Sequence, residues 1–224
     1  MSTKRSLRND ELSSAETLQK AARHTVFDRE GRELPFETLY SGPNAAHRTL
    51  IVFVRHFFCG SCQEYLRTMK ETITPDYLSC LPVSTSVAVV GCGESGLIDH
   101  YARETGCPYP IYCDPSRKLY DDLGMINTWE IGSSPAYVRK SLTRIILDSL
   151  WQMVKLLPSG LVLSGGPGAQ VGGEFLFERS GHGGQTRVTW CHRMERAWGH
   201  TEVPVVTEIL SRRMTSQGDD RDGK

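Results

Sequence analysis

The sequence predicts an α/β fold: a central mixed sheet flanked by helices, with an inserted amphipathic helix and a C-terminal antiparallel hairpin. Three observations predict it. Apolar, β-branched runs alternate with helically spaced segments between residues 24 and 124. Residues 49–58 are nearly all β-branched or aromatic, as suits a strand buried on both faces. Residues 174–178 and 187–192 read as two strands joined across the glycine-rich turn 181–184. A chain of 224 residues, 39% hydrophobic and 23% charged, has enough apolar material for one core and is short for two. The expected division is a polar arm at 1–22, one domain at 23–212 and a disordered tail at 213–224.

Each element has its own signal. Residues 24–28, the turn at Glu30, Gly31 and Arg32, and residues 34–39 predict a short strand and a second extended piece. After the strand at 49–58, which ends directly at Cys59, Tyr65, Leu66, Met69 and Ile73 recur at helical spacing until Pro75 interrupts them. Residues 86–90 predict a second apolar strand, 97–105 a helix ended by Gly106, 109–113 a third strand, and 116–123 a helix ended by Gly124. Alternation of this kind argues for parallel strands. Residues 141–157 predict a long amphipathic helix packed on the sheet or a partner subunit, because its polar face lacks the Lys and Arg that suit a membrane surface. Residues 164–173 form a glycine-rich connection and 203–214 a last helix.

Lys plus Arg and Asp plus Glu each number 26, so no global basic field exists to hold nucleic acid. No apolar run follows Lys4, Arg5 and Arg8 as in a secretory signal, and none reaches the roughly 18 residues of a membrane span. The expectation is a cytoplasmic protein without a membrane span. Seven cysteines in a reducing compartment leave at least one unpaired and favour redox or metal chemistry over a disulfide scaffold.

Cys59-Gly60-Ser61-Cys62 places two thiols three positions apart at a strand-to-helix turn. Unsatisfied backbone amides and the positive end of the helix dipole favour a thiolate at Cys59, and Arg55 or His56 can add charge if the fold turns them that way. Cys62, one turn further in, can resolve an adduct on Cys59 by closing a disulfide that an external thiol later reduces. Zinc is a competing reading, but neither Cys107 with Cys113 nor Cys191 with His192 supplies a second ligand pair at the usual spacing. Two inert core thiols are the other. Cys80, Cys92, Cys107 and Cys113 read as small core residues, with exposure left open for Cys92 because it follows a strand.

A rival motif stands one strand later. Residues 91–96 fit G-x-G-x-x-G, follow a strand, open a helix and have Asp114 about twenty residues on, the pattern of a dinucleotide site. The motif sits on an interior strand with too few strands after it, so a turn rich in glycine for steric reasons is the preferred reading.

The run Phe53 through Tyr65, then Tyr112-Cys113-Asp114-Pro115-Ser116-Arg117, Leu119-Tyr120 and Leu123-Gly124-Met125, resembles the peroxiredoxin-like 2 family, AhpC/TSA-type antioxidant proteins. Pro135-Ala136-Tyr137, residues 170–175 and residues 190–194 running to His200 extend the resemblance, in register, from about 24 to 210. It implies a thioredoxin-like fold and thiol-dependent reduction, with Cys59 and Cys62 as the redox-active pair. It also implies a small-molecule oxidised substrate such as a peroxide, an endoperoxide or a disulfide, and thioredoxin or another thiol as reductant. No cofactor or metal is implied, and a homodimer is compatible. Peroxiredoxins carry Pro-x-x-x-Thr/Ser-x-x-Cys, where the same offsets here give Val52 and His56. Thioredoxin's Trp-Cys-Gly-Pro-Cys becomes Phe58-Cys59-Gly60-Ser61-Cys62. Both departures count against general peroxidase and general disulfide reductase activity, and the resemblance leaves room for a narrower role on one organic substrate, including a step in a biosynthetic pathway.

The candidate catalytic residues are therefore Cys59 and Cys62, supported by Arg55, His56 and Phe58. His192 and His200 read as structural histidines without a visible partner, and Cys191 as a half-buried strand cysteine. Trp129, Trp151 and Trp190 are candidates for an apolar pocket. A non-redox binding or isomerising module on the same scaffold is the second function class, and the dinucleotide protein the third.

Overall fold

The computed structural model describes residues 8–179 and 185–213; the turn predicted at 181–184, Met214 and the tail from 215 lie outside the described residues. In chain order the main elements are α1 (Ala15–Ala22), β1 (Thr25–Phe27), β2 (Glu33–Pro35), β3 (Arg48–Phe53), α2 (Gly60–Thr72), α3 (Pro75–Ser79), β4 (Thr85–Gly91), α4 (Ile98–Thr105), β5 (Ile111–Cys113), α5 (Lys118–Asp122), α6 (Leu142–Leu156), β6 (Gly173–Arg179), β7 (Thr186–Arg193) and α7 (Val203–Ser211). The strands form one mixed sheet in the order β2-β1-β5-β4-β3-β6-β7. β3 is parallel to β4, with Phe53 opposite Val90, and antiparallel to β6, with Val52 opposite Glu174. That central strand, with the cysteine turn at its end and the β6–β7 hairpin beside it, is the thioredoxin-like arrangement the resemblance implies.

Alternation along β3 builds two cores. Leu50 and Val52 face the layer holding α2, α4 and α7, while Ile51 and Phe53 face the layer holding α1 and α5. Successive side chains point to opposite faces, so an unbroken apolar run is what a doubly covered strand requires.

Three expectations need correction. The strand predicted at 49–58 ends at Phe53, and residues 54–58 form a buried loop. The loop keeps its amides satisfied by leaving the ladder gradually: Val54 N–H donates to Val90 O, and Phe57 N–H to Gly165 O, at 2.9 and 3.0 Å. β-propensity reports burial as much as strand, so the overrun has a physical reason. The extended piece at 34–39 is strand only to Pro35, beyond which Phe36–Leu39 makes a 3-10 turn that buries Phe36. The polar arm, described from residue 8, carries a peripheral helix: α1 is capped by Ser14, and Arg193 donates to the carbonyls of Arg8 and Glu11. Finally, of the two settings expected for α6, packing on the sheet is not found for most of its apolar face. Leu142, Ile146, Leu147, Leu150, Trp151 and Val154 are exposed, and only Ile145 and Gln152 are buried.

The dinucleotide reading of residues 91–96 meets a filled space. A Cβ at Gly91 would collide with the Phe57 ring, and one at Gly93 would lie 2.6 Å from that ring and 2.8 Å from the carbonyl oxygens of Ser164 and Gly165. Asp114 is committed elsewhere, accepting from Ser116 Oγ at 2.6 Å and from Leu119 N–H at 2.9 Å. The glycines are there so that Phe57 and the 164–166 segment can approach the backbone.

Candidate active site

Cys59 is the N-cap of α2, a helix of 13 residues, and Cys62 lies in its first turn. All seven cysteines are free, and the two sulfurs lie 2.8 Å apart. Cys59 Sγ accepts from the Cys62 N–H at 3.4 Å and lies 3.2 Å from Ser61 Oγ and 3.7 Å from Arg55 Nη1. Arg55 is itself held: Nε donates to Gln170 O at 3.2 Å and Nη2 to Gly168 O. Burial opposes ionisation of Cys59. The hydrogen bond from Cys62, the charges of Arg55 and His56, and Ser61 outweigh it and hold this thiol well below its ordinary range. His56 is pushed down by burial, so Arg55 carries the permanent charge. For Cys62, burial, its hydrogen bond to Cys59 and the charge there all push the thiol well above its ordinary range. The site thus favours ionisation of Cys59 over Cys62.

The pair is less open than the sequence suggested. Cys59 is 3% exposed and Cys62 0%. Access comes through a groove of about 550 Å³ whose floor includes Cys59 and Phe58 and whose walls include Trp129, Ile146, Leu150 and Trp198. The exposed apolar side of α6 is one wall of this groove. A buried amide pair fixes it there: Gln63 Nε2 donates to Gln152 Oε1 at 2.8 Å and Gln152 Nε2 to Gln63 Oε1 at 3.0 Å. At Gly60, a Cβ would sit 2.5 Å from Ile145 Cγ2, so glycine lets α6 lie this close to the cysteine turn.

Behind the pair lies a cluster that the sequence did not disclose. His200 Nε2 is 3.4 Å from Cys62 Sγ, and Nδ1 is 2.5 Å from Glu174 Oε1. Glu174 Oε2 accepts from the Thr201 N–H and hydroxyl, at 3.4 and 3.1 Å. Both side chains are completely buried. Glu174 was missed because nothing marks a strand carboxylate as inward; the available signal was its place in an apolar run that alternates into both cores. His192 stays structural, its Nε2 2.8 Å from Gly199 O. Cys191 is buried against Glu11 O, and Cys92 is buried too. Trp129 lines the groove, Trp151 is exposed outside its lining, and Trp190 is half-buried against the core. Among the described residues, no group of three or more His, Cys, Asp or Glu is placed to hold a metal ion. Among the described residues, no helix is long and apolar enough to cross a membrane.

Residues 66–196 match the AhpC/TSA antioxidant enzyme family, a span that begins after the cysteine pair. Peroxiredoxin-like 2C of Homo sapiens is 29% identical over 187 residues, covering 83% of this chain and 76% of that protein. Peroxiredoxin-like 2C of Takifugu rubripes is 30% identical over 158 residues, covering 65% and 68%. A peroxiredoxin-like protein from Aquifex aeolicus superposes with a TM-score of 0.49 at 10% identity, over 83% of this chain and 80% of that one.

Proposed function

This chain belongs to the AhpC/TSA antioxidant enzyme family, and from that premise we propose that it is a thiol-dependent oxidoreductase that reduces an apolar organic peroxide or endoperoxide at Cys59. The observation that carries the proposal is the Cys59 sulfur at a helix N-terminus, facing the Arg55 guanidinium on the floor of an apolar groove, with the Cys62 sulfur 2.8 Å behind it. Attack by Cys59 on the O–O bond of a hydroperoxide leaves a sulfenic acid and an alcohol. Cys62 then displaces water from that sulfenic acid, and a cellular dithiol such as thioredoxin reduces the resulting disulfide. Arg55 and Ser61 are placed to stabilise charge on the departing oxygen. They stand in for the hydroxyl that most peroxiredoxins carry at the position of His56. The groove favours a bulky apolar oxidant over hydrogen peroxide because its walls are largely apolar and offer few polar partners.

The test is mass spectrometry after one equivalent of cumene hydroperoxide or of hydrogen peroxide. The expected product is a bridge between Cys59 and Cys62 that forms faster with the apolar oxidant, and Cys62→Ser should trap the oxidised Cys59. Turnover that survives Cys59→Ser would overturn the reading.

A further inference from the structure

We propose that His200, oriented by Glu174, is the acid–base residue of the resolving half-reaction, taking the thiol proton of Cys62 as that sulfur attacks Cys59. The proposal rests on the Cys59 and Cys62 redox reading above and concerns the step after it. The geometry carries it. A carboxylate only accepts, so Glu174 Oε1 at 2.5 Å requires the proton of His200 on Nδ1. Nε2, with its free electron pair, is then the atom that faces Cys62 Sγ at 3.4 Å. The ring cannot turn away. It stacks on Tyr65 at 4.3 Å with the planes 3° apart, and the His200 backbone N–H, which fixes the residue's position, donates to the Tyr137 hydroxyl at 3.1 Å.

Cys62 has two acceptors for one proton. In the resting pair its S–H points to the Cys59 thiolate, which stabilises that thiolate. Once Cys59 is oxidised that acceptor is gone, and Nε2 is the base within reach. Buried ionised carboxylates cost stability unless fully partnered, and an apolar pair of similar volume is often at least as stable. A His–Glu pair completely buried against a reacting sulfur is therefore better explained by proton transfer than by packing. The other ionisable groups around it are Arg55 from the β3–α2 loop, Tyr65 of α2, Tyr101 of α4, Tyr120 of α5 and Tyr137 from the segment before α6. Burial pushes all four tyrosines up, so they stay neutral.

The step balances. The Cys62 S–H bond breaks and its proton moves to Nε2, while the sulfur electron pair forms the bond to Cys59 Sγ. The S–O bond of the sulfenic acid breaks with its pair on oxygen, and the departing hydroxide recovers the proton as water. Cys62 is oxidised, the sulfenic sulfur is reduced, and the imidazole ends neutral.

The test uses the full chain with Cys80→Ser and Cys107→Ser to remove the more accessible thiols, and a dipyridyl disulfide as probe, so that it does not depend on the natural oxidant. Capture by Cys59 releases one thiopyridone and closure by Cys62 a second. In His200→Gln the ratio of closure to capture rates should fall by about 10²-fold, and closure should climb with pH more steeply than in the native protein. In Glu174→Gln the ratio should fall by on the order of tenfold. Where thermal unfolding shows that His200→Gln does not fold, the Glu174→Gln ratio decides. Normal capture with a closure ratio within about threefold of native overturns the relay alone. No capture in the native protein overturns the redox reading, and the relay with it.

Discussion

Two strand-to-helix turns lie side by side in this molecule, each with a cysteine beside a glycine, and they surround that cysteine with opposite electrostatics. Cys59 follows β3 and Cys92 follows β4, strands paired in parallel with Phe53 opposite Val90. Burial does not separate them, since they are 3% and 2% exposed. The partners do. Cys59 caps a 13-residue helix and faces the Arg55 guanidinium. Cys92 instead donates to the Arg55 carbonyl at 2.7 Å, and α4 begins only at Ile98, after an intervening 3-10 turn. Burial pushes the Cys92 thiol up to about 12, while Cys59 is held low. One arginine thus presents a cation to one sulfur and a carbonyl dipole to the other. Donors aimed at a buried thiol make it reactive, and an acceptor keeps it inert.

The largest test of that contrast is to remove each sulfur. Cys59→Ser should cut peroxide turnover by at least about 10³-fold. Cys92→Ser should leave it within about threefold, because a buried protonated thiol takes no part. A smaller effect separates charge from helix. Arg55→Met removes the cation that lowers Cys59, so iodoacetamide capture should drop by about tenfold at mildly acidic pH. The loss should vanish once the pH passes the ordinary thiol range, where both proteins are ionised, and Arg55→Lys should restore part of it. The smallest effect is on stability. Folding raises Cys92 from the ordinary value of 9.0 to about 12. Below 9.0 both folded and unfolded chains hold this proton; above it only the unfolded chain releases it. The thiol therefore costs about 1.4 kcal/mol per pH unit over that window. Urea unfolding of Cys92→Ala should show an alkaline decline shallower by that amount, on top of a pH-independent cavity cost.

Much of the architecture was legible because burial leaves a period in the sequence. The alternation of apolar strands with helices predicted the core, and residues 49–58 marked the central strand even though the ladder ends at Phe53. The overrun arises because Val54, Phe57 and Phe58 are as apolar as strand residues, and hydrophobicity does not say whether a buried segment is paired. Packing of α6 on the sheet was misjudged for a related reason. Leu142, Ile146 and Leu150 carry a helical period that reads the same whether the stripe meets a core or lines an open groove. His200 gave no signal of its partners, which come from α2 and β6, 138 and 26 residues away.

What the sequence determined by itself is local: two sulfurs one helical turn apart at the start of a helix, on a strand apolar enough to sit at the centre of a sheet. Spacing and propensity act within a few residues, and so can be read from a string of letters. The tertiary structure alone decided which charges face those sulfurs, because Arg55 reaches Cys59 only when anchored by the carbonyls of Gly168 and Gln170. Glu174 likewise reaches Cys62 only through an imidazole delivered by the turn after β7. Electrostatic coupling falls with distance in space, and chain order says little about that distance until the chain has folded.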